Sequence, residues 1–219
     1  TAERLLAVGV NPAGIGKNSD EAFTPVYVWH RGIRIAFFAI NNVIPKSVWA
    51  TPFKAGTAGG SDELILSAIK KVKDEVHAVV VSIHWGEEVV VDFPVAKPQK
   101  EQVELAHKLI DAGVSCILGH QSHGVGQVEL YKNGIIFYSL GDFVFAGRHA
   151  ANHRVSIIAR VNIDAKGVSS YTLIPVNINP LEVKYSPVIL PEKSGRIVID
   201  KILTQKDERY IDYYTLNAR

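Results

Sequence analysis

The sequence has no methionine and a single cysteine, Cys116. One cysteine excludes an internal disulfide. Its setting, Val114-Ser115-Cys116-Ile117-Leu118, reads as a buried strand and marks a structural thiol rather than a nucleophile. No apolar run approaches the roughly 18–20 residues of a membrane span, and no signal-peptide pattern is present. The formal net charge is only +2. No basic stripe is there to displace counterions, so composition makes no case for nucleic acid as a partner. Internal repeats and low-complexity tracts are also missing. Methionine is absent even at position 1, and Thr1 falls in what reads as the end of a helix. The expectation is a processed or excised segment with no targeting signal of its own.

What remains is ordinary globular composition, 47% hydrophobic and 21% charged over 219 residues, enough to bury a real core. Residues 1–10 read as a helix tail, followed by a Gly- and Pro-containing loop from Asn11 to Lys17. Val26–His30 and Ile33–Ile40 are β-rich runs separated by Arg31-Gly32, a hairpin signal. Asn41–Gly60 reads as a long irregular loop. Ser61 then caps a helix with Asp62 and Glu63 at its positive end, and Leu64, Ile65, Ala68, Ile69 and Val72 form its apolar stripe. Ala78–Ile83 is a continuous apolar run suited to a strand buried on both faces. Gln99–Ala112 is a second helix, with Val103, Ala106 and Ile110 on one face and Gly113 as its stop. Val114–Leu118 is another buried strand.

This alternation predicts an α/β fold, a layered sheet with helices packed on it. From Gly126 the pattern changes to consecutive β-runs: Gln127–Tyr131, Ile135–Ser139, Arg154–Ile163 and Ser169–Val176. Lys132-Asn133-Gly134 offers an Asn-Gly turn between the first two, and this half is expected to be antiparallel. Asn177–Pro191 reads as extended and Gly195–Gln205 as a short helix. The expected organisation is one domain over residues 1–176 and a C-terminal extension over 177–219 that packs on it.

Three histidines sit at the ends of predicted buried strands. His84 follows Val79-Val-Val-Ser-Ile83, and His120 and His123 follow Ile117-Leu-Gly119. Functional groups gather at the carboxyl ends of strands in α/β sheets. Two adjacent strands would therefore bring these side chains together. Neutral imidazole is a common ligand of zinc, manganese or iron. The spacing in Gly119-His120-Gln121-Ser122-His123 lets two rings point into one cavity, and Gly119, Gly124 and Gly126 let the backbone turn around it. The bland alternative, a satisfied polar loop residue, holds better for any one histidine than for three together. Asp142, in Ser139-Leu-Gly-Asp-Phe143, either orients a histidine, binds substrate, or is a turn aspartate. Glu88 is an acid/base or ligand candidate, or part of a solvated acidic loop.

Other signals fail on inspection. Gly14-Ile-Gly16-Lys17-Asn18 resembles part of a P-loop, but Asn11 stands where the first glycine belongs and Asn18 where Ser or Thr belongs. Ser19 replaces the third glycine of a dinucleotide fingerprint. Ser122 is not in a nucleophile elbow. His30, His77 and His107 stand alone, and the spacing of His149 and His153 is weak evidence.

The ordered motifs resemble the poly-γ-glutamate capsule synthesis protein CapA family, a branch of the calcineurin-like metallophosphoesterases. They are Ala13-Gly-Ile-Gly-Lys-Asn18 with Glu21-Ala22 and Pro25, Ile35-Ala-Phe37, and Ser82-Ile-His-Trp-Gly-Glu-Glu88. Next come Ala106-His-Lys-Leu-Ile-Asp-Ala-Gly-Val114, Gly119-His-Gln-Ser-His123 and Phe137-Tyr-Ser-Leu-Gly-Asp-Phe143. The resemblance implies a four-layer α/β sandwich of mixed sheets with divalent metal ions at the strand ends. It makes His84, His120 and His123 metal ligands, with Glu88 and Asp142 lining the site as catalytic groups. It also implies a phosphoesterase-type hydrolase on the outer cell surface, acting on an anionic polymer or a small phosphoester in capsule synthesis or export. Family members carry Gly-Asp and Asn-Asn-His motifs upstream that this sequence lacks, and Asn41-Asn42, followed by Val43, does not replace them. This chain is therefore expected to build half of a two-metal site. A preceding segment or another capsule protein would supply the rest, or the chain is a non-catalytic, polymer-binding scaffold.

Overall fold

A computed structural model describes residues 1–43, 45–88, 95–145 and 154–217. In chain order its elements begin with α1 (Ala2–Ala7), β1 (Ile15–Gly16), α2 (Ser19–Ala22), β2 (Val26–His30), β3 (Ile33–Asn41), β4 (Gly56–Thr57) and α3 (Asp62–Lys70). They continue with β5 (Ala78–His84), α4 (Lys100–Asp111), β6 (Cys116–His120), β7 (Val128–Tyr131), β8 (Gly134–Phe137), β9 (Val155–Asp164) and β10 (Gly167–Asn177). The chain then forms α5 (Pro180–Val183), β11 (Val188–Ile189), α6 (Glu192–Ile202) and α7 (Tyr213–Leu216).

The main sheet has the order β2-β3-β5-β6-β8-β7. Its four inner strands, β3, β5, β6 and β8, run parallel, and the two edge strands are antiparallel to their neighbours. A second, antiparallel sheet has the order β11-β10-β9. The expected α/β fold with mixed sheets is thus present. Side-chain alternation along β5 explains how the layers assemble, because successive residues point to opposite faces. Val79, Val81 and Ile83 pack with Ile65 and Ile69 of α3 and with Leu105, Ala106 and Leu109 of α4. Val80, on the other face, packs with Cys116, Ile135 and Phe137 and with Tyr171 and Leu173 of β10. Val198, Ile199 and Ile202 of α6 join this second core. The order is therefore helices, main sheet, second sheet, with α6 against β10.

Local chemistry accounts for several boundaries. Arg31 (φ 48°) and Gly32 (φ 80°) form the two-residue turn of the β2–β3 hairpin, as the right-handed strand twist favours. The amide of Gln99 donates to Gln102 Oε1 at 2.9 Å at the start of α4, and Gly113 (φ 110°) ends that helix in a conformation that favours glycine.

Four details depart from the sequence reading. Ser61 precedes α3, but its side chain makes no capping bond to the backbone; the hydroxyl binds the Glu63 carboxylate instead. The β7–β8 loop is Lys132-Asn133, since Tyr131 pairs with Gly134. Lys132, rather than an Asn-Gly pair, supplies the positive φ of 51°. β8 is antiparallel to β7, as expected, but lies parallel beside β6, so the half expected to be antiparallel is mixed at this strand. The stretches read as irregular or extended contain β4, paired with β1, and the short helix α5, where the Asn179 side chain accepts from the Leu181 amide at 3.1 Å.

Candidate functional site

The parallel register places the candidate residues. His84, the last residue of β5, pairs with His120, the last residue of β6, and Asn41, the last residue of β3, pairs with His84. The ends of three adjacent strands thus carry Asn41, His84 and His120 in one row. By alternation His84 and His120 share the face of Val80 and Cys116, the face toward the second sheet. Backbone bonds stitch the row together: the Asn42 amide donates to the His84 carbonyl at 2.8 Å, and the Trp85 amide to the His120 carbonyl at 3.4 Å.

Beyond β6 the chain turns sharply. Gln121 (φ 110°) and His123 (φ 59°) both adopt backbone conformations that residues with a Cβ seldom take, the kind of local strain that gathers at functional loops. His123 Nδ1 meets Asp142 Oδ1 at 2.9 Å, and the Asp142 amide returns to the His123 carbonyl at 3.0 Å. The Phe145 ring lies tilted against the His123 imidazole, 5.0 Å between centroids. On the strand side of the site, Ser82 Oγ and His120 Nε2 are 3.1 Å apart.

The surroundings of His84 and His120 favour neutral rings. Burial pushes the His84 pKa down; a hydrogen bond with the Gln121 side chain opposes this, and the nearby His123 adds to the depression. Burial also lowers the His120 pKa, and the proximity of His84 lowers it further. Mutual repulsion links His84 to both other rings, so the three imidazoles share one neighbourhood. Neutral imidazole is the metal-binding form. A histidine whose other ring nitrogen is held by a carboxylate, as Asp142 holds His123, is the usual preparation of a ligand. The donor chemistry therefore fits a divalent cation. The geometry is less complete: among the described residues, no group of three or more His, Cys, Asp or Glu side chains is arranged to hold a metal ion.

The carboxylates differ. Asp142 is part of the His123 arrangement, whereas Glu88 is exposed in the loop after β5. His149 and His153 lie outside the described residues. His107 is engaged elsewhere, with Nε2 at 2.8 Å from Glu129 Oε1 and its ring stacked on Tyr131. A cleft of 710 Å³ lies at the other end of the strands, lined in part by Ser115, Lys132, Lys166 and Arg209, away from the histidines. Three neighbours of the site have no site role in the sequence reading: Ser82, Gln121 and Asn41. Ser82 was recoverable, since it stands two residues before His84 on the same face; Asn41 required the register.

Comparison with known proteins gives the family and the fold. A family model described as bacterial capsule synthesis protein PGA_cap matches residues 1–147. The capsule biosynthesis protein CapA of Bacillus anthracis is 32% identical over 182 residues, 81% of this chain and 43% of that protein. The PGA biosynthesis protein CapA of Bacillus subtilis (strain 168) is 30% identical over 148 residues, 68% of this chain and 37% of that protein. The chain thus spans less than half the length of these curated relatives. Among solved structures, the sulfate thiohydrolase SoxB of Thermus thermophilus, in complex with glycerol, superimposes with a TM-score of 0.50 at 15% identity, covering 90% of this chain and 33% of that one. That likeness concerns the fold alone, a layered α/β arrangement. Among the described residues no helix is long and apolar enough to cross a membrane.

Proposed function

Because the chain belongs to the bacterial capsule synthesis protein PGA_cap family, we propose that it forms the histidine-bearing part of a metal-dependent, phosphoesterase-like hydrolase in poly-γ-glutamate capsule synthesis or export at the cell surface. The observation that carries this reading is the in-register pair His84 and His120, joined by His123 with Asp142 behind it. His84, His120 and His123 would hold the cation, manganese, zinc or iron. When bound, the cation supplies Lewis-acid polarisation of an ester oxygen and of water. The residues do the rest. Asp142 holds the His123 ring by its Nδ1 edge. Ser82 fixes the His120 ring. Burial favours the neutral form of His84 and His120. Glu88, exposed in the loop after β5, is the candidate for orienting water or a substrate, an anionic polymer or a small phosphoester. The remaining donors would come from a further polypeptide segment or another capsule protein.

Elemental analysis of the full-length protein beside its His120→Ala and His123→Ala variants, together with turnover of p-nitrophenyl phosphate, tests the proposal. The expected result is a bound divalent metal and hydrolysis, both lost in the variants. Metal content and turnover that do not change with either substitution would sink it.

A second reading is favoured by the incomplete donor set: a polymer-binding or scaffold component that uses the same strand ends without turnover. Binding of poly-γ-glutamate that survives chelation would support it, and binding lost on chelation would count against it.

A further inference from the structure

Gly119 leaves a gap in the middle of the main sheet, and Trp85 occupies it. A Cβ at Gly119 would stand 2.2 Å from the Tyr138 carbonyl oxygen and 2.7 Å from Trp85 Nε1. Only glycine therefore fits between these groups. Across that gap the Trp85 indole N–H donates to the Tyr138 carbonyl at 3.1 Å, and the two rings stack with centroids 6.0 Å apart. The indole is 2% exposed. The bond runs from the residue after His84, over the residue before His120, to the residue that follows β8. It joins strands that are not neighbours, on the face opposite the histidines.

Both ends of this bridge are anchored. The Trp85 carbonyl accepts from Gln102 Nε2 of α4 at 3.4 Å. The Tyr138 hydroxyl donates to Glu129 Oε2 at 2.6 Å, and Glu129 in turn meets His107 of α4 at 2.8 Å. The site-facing side shows the result. The amides of Asn42, Trp85 and Leu140 donate to the carbonyls of His84, His120 and Gly119 at 2.8, 3.4 and 3.1 Å. Without a tie from β5 to β8, these strand-end bonds would be the fraying ends of a parallel ladder.

We infer that Trp85 is a positioning residue, whose indole N–H, passing over Gly119 to the Tyr138 carbonyl, holds the strand ends bearing His84 and His120 at fixed register. The inference deepens the reading of these histidines as metal donors and rests on it for its consequence, tighter metal binding. The bridge itself is tested without metal.

Amide hydrogen exchange on the metal-free protein, wild type and Trp85→Phe, reads the bridge directly. Phenylalanine keeps a stacking ring and removes the donor. Exchange at Asn42, residue 85 and Leu140 should rise about three- to tenfold, the equivalent of one neutral hydrogen bond, while β9 and β10 amides stay unchanged. Titration with Mn²⁺ should show affinity weakened by a similar factor. Strand-end exchange and Mn²⁺ affinity both equal to wild type would overturn the inference, as would uniformly raised exchange throughout the chain. A second measurement needs no variant. The Trp85 indole N–H of the wild type should exchange far more slowly than that of Trp29, which is 66% exposed; equal rates would show that the bond does not form. If wild-type protein takes up no Mn²⁺, the metal reading falls, while the exchange data still decide the bridge.

Discussion

His123 and Asp142 grip each other twice, side chain to side chain at 2.9 Å and Asp142 amide to His123 carbonyl at 3.0 Å. The loop after β6 and the loop after β8 are thereby fixed relative to one another at the strand ends. The backbone bond survives any change of the Asp142 side chain, so the two contributions can be separated.

Asp142→Asn keeps the backbone bond and the size of the side chain while removing the charge. It should lower divalent-metal affinity about 10- to 100-fold, the usual cost of losing a carboxylate behind a ligating histidine, with little change in thermal midpoint. Calorimetric titration with Zn²⁺ or Mn²⁺ gives the first number and a melt the second. An unaltered affinity would leave Asp142 as a turn residue.

Cys116 is fully buried, and burial pushes its thiol up to about 12. The reactive thiolate is therefore scarce at any working pH. A disulfide reagent such as DTNB should leave the native protein unmodified at pH 8 and label it in urea at the rate of global unfolding. Rapid stoichiometric labelling of native protein would contradict the buried-strand assignment.

Asp212 lies before α7. Its Oδ1 accepts from the Thr215 amide at 2.9 Å and its Oδ2 from Arg196 at 2.6 Å. Burial alone would raise its pKa; the Thr215 amide and Arg196 outweigh that and hold it below the ordinary aspartate value. The folded state thus binds this proton less readily than the unfolded state. The resulting stability is present above the unfolded pKa of about 3.9 and disappears as pH falls through the lower folded value. Urea unfolding should find Asp212→Asn less stable than wild type at pH 7, with the gap closing as the pH drops below the ordinary aspartate range. A gap independent of pH would place the effect in packing.

Leu109 of α4 is fully buried against the main sheet. Leu109→Ala should cost about 2–5 kcal/mol, measurable as a shift of the urea midpoint at constant slope.

Much of this architecture was legible because two periodicities stand out. The apolar run Ala78–Ile83, interrupted only by Ser82, gives β5, and the amphipathic segment stopped by Gly113 gives α4. The histidines were legible because they interrupt apolar strands at their ends. Three other features were not. Asn41 reads as the start of a loop, and only pairing with His84 puts it in the row; register is a long-range property that no local window contains. The four residues of α5 are held by the Asn179 cap rather than by a stripe, so an amphipathic search passes over them. The apolar face Val103, Ala106 and Ile110 of α4 is wider in the structure, where Leu105 and Leu109 are buried and Val103 only partly so, because this helix presses a broad face on the sheet.

β5 serves as a party wall. Val79, Val81 and Ile83 belong to the room on one side, and Val80 to the room on the other. Neither room can be vacated without taking down the partition, so the two halves should melt together in a single calorimetric transition. A ligand held at the edge of that partition, by His84 and His120, would then raise the melting temperature of the whole chain by mass action, rather than protecting only the loops around it.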